Sequence, residues 1–112
     1  MENNKSICKI YSDGTKNWFR DGKLHREDGP AIECTDGEKR WYRDDKVHRE
    51  DGPAVELTSG DKYWCRNDKV HREDGPAVEL ANGTKYWYYR GMEINCSNQQ
   101  QFKKILKMKA FW

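Results

Sequence analysis

Gly37-Glu-Lys-Arg-Trp-Tyr-Arg-Asp-Asp-Lys-Val-His-Arg-Glu-Asp-Gly-Pro-Ala-Val-Glu-Leu-Thr-Ser59 is the stretch on which the fold turns. The same 23-residue unit also starts at Gly14, Gly60 and Gly83, with no insertion or deletion between starts. Three of the four copies carry His-Arg-Glu-Asp-Gly-Pro-Ala, at His25 to Ala31, His48 to Ala54 and His71 to Ala77. A unit this short cannot bury its own apolar face, so the copies must stack, each meeting its neighbour in the same way.

Within the copy, two strand-like runs lie between turn signals: Lys39 to Arg43 and Ala54 to Leu57. Alternation puts Trp41 on one face of the first run and Arg40 and Tyr42 on the other; Val55 and Leu57 oppose Ala54 and Glu56 in the second. Thr35-Asp36-Gly37, Thr58-Ser59-Gly60 and Ala81-Asn82-Gly83 suit tight reversals between copies. Asp28-Gly29-Pro30, Asp51-Gly52-Pro53 and Asp74-Gly75-Pro76 punctuate each copy, with proline opening a strand where no ladder N–H is demanded. The pattern predicts one hairpin per copy and a mainly β fold: a single-layer antiparallel sheet of tandem hairpins over residues 1–96. Trp18, Trp41, Trp64 and Trp87 share one repeat column and are the expected core seam. Ile7 to Ser12 reads as a half-repeat strand whose alternation is out of clean register with the later copies.

The fourth copy loses the seven-residue string after Trp87. Ser97 with Gln100 is a capping-box signal, and Phe102, Ile105, Leu106, Met108 and Phe111 form an apolar stripe between lysines. A helix over Asn98 to Ala110 is expected, within a second unit of residues 97–112 that caps the open end of the sheet.

Charge and cysteine usage narrow the function classes. The net charge of +2 includes Lys103, Lys104, Lys107 and Lys109, in a tail with no acid after Glu93. Setting those four aside leaves 17 bases against 19 acids, which argues against a binder of nucleic-acid polymers acting by charge. Cys8, Cys34, Cys65 and Cys96 form no close zinc-type pair; Cys34 shares the column of Leu57 and Leu80, and Cys65 that of Phe19, Tyr42 and Tyr88. Structural thiols in a reducing, cytoplasmic compartment are expected, with no membrane span or signal-peptide core in the sequence.

His25, His48 and His71 invite a metal reading, but strands about 4.8 Å apart separate equivalent atoms of adjacent copies by roughly 10 Å. No shared metal or cofactor is expected. Catalysis is equally disfavoured, because one set of groups is issued three times with no unique nucleophile. The expectation is a structural ladder in which Arg26, Arg49 and Arg72 pair with acids of a neighbouring turn and the histidines donate to free carbonyls. Those arginines are also candidate binding residues, since a guanidinium beside an aromatic ring can stack or grip a phosphate. Columns that vary between copies suit specificity better: Asn17, Arg40, Tyr63 and Tyr86 in one, Phe19, Tyr42, Cys65 and Tyr88 in the other. Arg40, Tyr42, Tyr63, Tyr86 and Tyr88 are therefore the expected partner-binding strip, the alternative being a second apolar layer under the helix.

The run Trp-x-x-x-Gly-Lys-Leu-His-Arg-Glu-Asp-Gly-Pro-Ala, from Trp18 to Ala31, resembles tandem repeats of tailed-phage and giant-virus proteins, and the likeness covers Gly14 to Gly91. The period also resembles the MORN repeat, a β-hairpin module of protein and lipid contacts. Lys16, Lys39, Lys62 and Lys85 stand where that family has glycine, so lipid binding is not carried over. The resemblance implies a phage-encoded, non-enzymatic binding module that antagonises a host defence or regulatory factor in the host cytoplasm. Masking of a host protein is the first implication, and sequestration of a small nucleotide signal, at a homo-oligomer interface in one form, is the second.

Overall fold

A computed structural model describes residues 5–108. Ahead of the first full copy lies β1 (Ile7–Ile10). Copy one supplies β2 (Lys16–Arg20), β3 (Lys23–Leu24) and β4 (Ile32–Glu33). Copy two supplies β5 (Lys39–Arg40), β6 (Tyr42–Arg43), β7 (Lys46–Val47) and β8 (Val55–Glu56). Copy three repeats this as β9 (Lys62–Tyr63), β10 (Cys65–Arg66), β11 (Lys69–Val70) and β12 (Val78–Glu79). Copy four gives β13 (Lys85–Tyr89), β14 (Met92–Ile94) and α1 (Gln99–Met108). The main sheet runs β1-β2-β4-β5-β8-β9-β12-β13-β14, with β3 beside β2, and is antiparallel throughout. It stays open, and the molecule measures 47 × 36 × 17 Å.

The mainly β, hairpin-built architecture matches the reading of the sequence, but each copy holds more than one hairpin. In copies two and three the first run breaks at the tryptophan, and its second half pairs in a small sheet of its own, β6 with β7 and β10 with β11. The reversals are Asp44-Asp45 and Asn67-Asp68, both central residues at positive φ (49° and 67°; 49° and 68°), as Asp21-Gly22 and Arg90-Gly91 also are. Two successive positive φ values define the hairpin turn that matches strand twist, and Asp and Asn tolerate it better than other side-chain-bearing residues.

Register fixes what each face shows. Lys16, Glu33, Lys39, Glu56, Lys62, Glu79 and Lys85 pair in sequence across the sheet, a ladder of alternating charge. Beside it, each tryptophan N–H donates to an alanine carbonyl on the next strand: Trp18 to Ala31, Trp41 to Ala54 and Trp64 to Ala77, all at 2.8 Å. The three alanines are fully buried. Only Trp87 of the four indoles is buried; Trp18, Trp41 and Trp64 are half-buried, so the expected seam is a row of Trp and Ala with one side still partly open. β1 is in register after all: Cys8 faces Trp18 as Ala31 does, and Ile10 faces Lys16 as Glu33 does.

The helix starts one residue later than its cap signal predicted. Asn98 is the cap, its Oδ1 accepting the N–H of Gln101, while Gln101 Oε1 accepts the N–H of Ser97. Phe102 is fully buried against Trp87 and Ile94, with Ile105 and Leu106 packed beside it. Met108 falls off that stripe and is exposed, and the expected Ala110 and Phe111 lie outside the described residues. The helix thus covers the tryptophan face at the fourth copy. Among the described residues, no helix is long and apolar enough to cross a membrane.

Candidate functional site

Two surfaces recur along the chain, and both follow from the repeat. The first is built by the His-Arg-Glu-Asp-Gly-Pro loops. His25, His48 and His71 are buried, and each Nδ1 accepts the N–H of the next copy's turn residue: Asp44, Asn67 and Arg90, at 3.1, 3.1 and 2.8 Å. A nitrogen that accepts carries a lone pair, so the proton sits on Nε2, which donates to Glu27, Glu50 or Glu73 two residues on. The expected donation by histidine to free carbonyls is corrected here: the ring accepts from backbone and donates to carboxylate. That hydrogen bond holds the Glu27 and Glu50 carboxyls below the ordinary carboxylate range.

The arginines are also placed differently from expectation. Arg26, Arg49 and Arg72 pair inside their own copy, because the loop turns back on itself within a few residues. In copy two, Arg49 Nε donates to Asp51 at 2.9 Å, while Nη1 donates to the Pro53 carbonyl at 3.0 Å and to Glu56 at 3.4 Å. The guanidinium carbon lies 3.9 Å from the centre of the Trp41 ring, with equivalents at 3.8 Å on Trp18 and 4.0 Å on Trp64. Gly52 completes the latch, since a Cβ there would come within 2.9 Å of that carbon. Gly52→Ala is expected to displace the guanidinium and cost about 1 to 2 kcal/mol. Arg49→Ala should cost a similar amount, and the double variant little more than either, in a denaturant-melt cycle; full additivity would show that the two are not one latch.

Between successive loops lie clefts of about 560 Å³, holding Trp41 and His48, and about 540 Å³, holding Trp64 and His71. Glu27, Asp28, Glu50 and Asp51 line the first, against Arg26, Arg43 and Arg49. Arg26 and Arg49 are already committed to their own acids and rings, and Arg43 reaches Glu27 and Glu50. The polarity is mixed and internally balanced. Each histidine is held by its own glutamate, so the three do not converge on one ion. Among the described residues, Cys34, Asp36 and Glu38 bring ligand-type atoms within 4.8 Å of one another, but Glu38 is bound to Arg40 and Asp36 accepts the Glu38 N–H. The four thiols are unpaired; burial pushes Cys65 up to about 11, whereas Cys8 is exposed and is no core filler.

The second surface is the opposite face of the sheet. Across it, Asn17, Ile32, Arg40, Val55, Tyr63, Val78 and Tyr86 are successive cross-strand partners. Val55 and Val78 are buried between the larger side chains, while Tyr86 is exposed and Arg40 is half-buried and held by Glu38. Tyr42 and Tyr88 sit two residues on, half-buried, Tyr42 opposite Val47 and Tyr88 opposite Glu93. Arg40, Tyr63 and Tyr86 thus lie in one row; Tyr42 lies beyond the break at Trp41, in the small β6–β7 sheet, where it lines the first cleft, and Tyr88 lies further along β13. Arg26, Arg49 and Arg72 belong to the tryptophan face instead. The helix packs on Trp87 and Ile94, so the strip is not an apolar layer beneath it.

The turns at Asp44-Asp45 and Asn67-Asp68 escaped the sequence reading. Asp45 exchanges bonds with Leu24 of the preceding copy, its N–H donating to the carbonyl and its Oδ1 accepting the N–H; Asp68 does the same with Val47. Asp21-Gly22, a strong hairpin dipeptide in the same columns, was the available signal. Compared with family models, curated proteins and solved structures, the chain has no match.

Proposed function

We propose that the chain is a non-enzymatic binding module that masks a partner protein with the Arg40, Tyr63 and Tyr86 row, Tyr42 and Tyr88 extending the contact. The observation that carries this reading is the placement of exposed Tyr86 and half-buried Arg40 and Tyr63 beside buried valines, on a face the helix leaves open. Tyrosine and arginine on a rigid apolar floor are the residues that dominate protein interfaces, and a regular sheet holds them at low entropic cost. On the phage resemblance, the partner is a host defence or regulatory factor. The nucleotide sponge fits less well, because each cleft sets four carboxylates around the space a phosphate would enter and its loop arginines are occupied.

The test uses Arg40→Gln combined with Tyr86→Ser: Tyr86 is exposed, and at half-buried Arg40 the neutral amide keeps a donor for Glu38. The variant should melt like the parent yet lose, by at least about tenfold, the partner that immobilised parent protein retains from bacterial extract. Equal retention, or a melting temperature of the parent raised by nucleotides, would move the site to the clefts.

A further inference from the structure

The strands β4, β8 and β12 are each flanked by strands on both sides. β1 stands in the same repeat register but is flanked on one side only, by β2, among the described residues. All four of its residues are exposed, including Ile7 at 72% and Ile10 at 65%. The direction of its free backbone groups can be deduced. Trp18, opposite Cys8, sends its N–H to Ala31 and receives the N–H of His25, so neither Trp18 group points at β1. Tyr11 donates to Thr15, so residues 11, 9 and 7 bond inward to β2. Cys8 and Ile10 therefore aim their N–H and C=O groups outward.

We infer that this edge pairs with β1 of a second copy, antiparallel about a two-fold axis at Cys8. That register joins the outward groups of Cys8 to those of Cys8 in the second copy, and sets Ile7 opposite Lys9. An axis at Lys9 would face two ammonium groups, and one at Ile7 would face Lys9 with Lys5, each a like-charge pair that weakens a sheet. At the far end of the chain, the residues 23 positions beyond Pro76 to Val78 lie in α1, where Gln99 binds Trp87 and the Glu73 carbonyl. The two ends differ, so pairing closes at two copies instead of continuing head to tail. A contact of this few residues buries less than the roughly 1,000 Å² of a stable interface, so the dimer is weak and concentration-dependent. The tyrosine strips of the two copies become one longer surface, which raises avidity for a repeated partner.

Light scattering of the full chain tests this. Mass should rise towards the dimer with concentration; a monomer mass up to roughly millimolar protein overturns the inference. Ile10→Pro removes an outward N–H and no β1–β2 bond, so it should give a monomer with an unchanged melt. Ile7→Lys, opposite Lys9, should also weaken association, and adding Lys9→Glu should restore it. A dimer that survives both single variants, or a double variant that fails to recover, overturns the β1 register.

Discussion

Phe102→Ala is expected to lower unfolding free energy by about 4 kcal/mol in a chemical melt. Phe102 is the largest fully buried side chain among the described residues, and it covers Trp87 in the one copy without the arginine latch. Asn95 and Ile94 occupy the columns where the other copies have arginine and histidine, so copy four has neither the guanidinium on its indole nor the histidine bond to a next turn. Helix packing replaces both. In an array each unit is stabilised by its neighbours, so loosening the last should also loosen the third copy, to which Gln99 is tied through Glu73. A loss under about 1 kcal/mol would show that α1 is not part of the cooperative unit.

His48→Ala should cost about 3 kcal/mol. The ring is buried in the middle of the array and bridges two copies, accepting from Asn67 while donating to Glu50. Removing it leaves a void and frees an N–H whose residue is held at φ 49°, a conformation that costs energy without its partner. Two measurements check this: a denaturant melt, and hydrogen exchange at the Asn67 amide, which should quicken. A change within about 0.5 kcal/mol with unaltered exchange would mean the histidine ladder does not join the copies.

The repeat made much of this legible in the sequence. Strict spacing, Trp41 and its equivalents in one column, and Gly at each copy boundary were enough for tandem antiparallel strands with a helix at the end. The break at Trp41 was not legible, because strand periodicity cannot say which sheet each half of a run joins. The arginine latch was hidden for a related reason. Arg49, Asp51 and Glu56 could pair within or between copies, and only the path of the Gly52-Pro53 bend decides. Alternation puts Tyr63 and Tyr86 in one cross-strand row with Arg40 but could not place Tyr42, which follows the break, and the edge groups of β1 required knowing which way Trp18 bonds.

The bond from each histidine to the amide 19 residues ahead makes the chain its own gauge. A single inserted residue anywhere in that span would pull an acceptor off its donor, whereas a whole extra copy would be welcomed at every contact. Length in this architecture is therefore set in steps: each added unit puts two short strands into the main sheet and extends it by about 10 Å without redesigning what is already there. A protein assembled in this way can lengthen by duplicating part of its gene, before any contact between copies has to change.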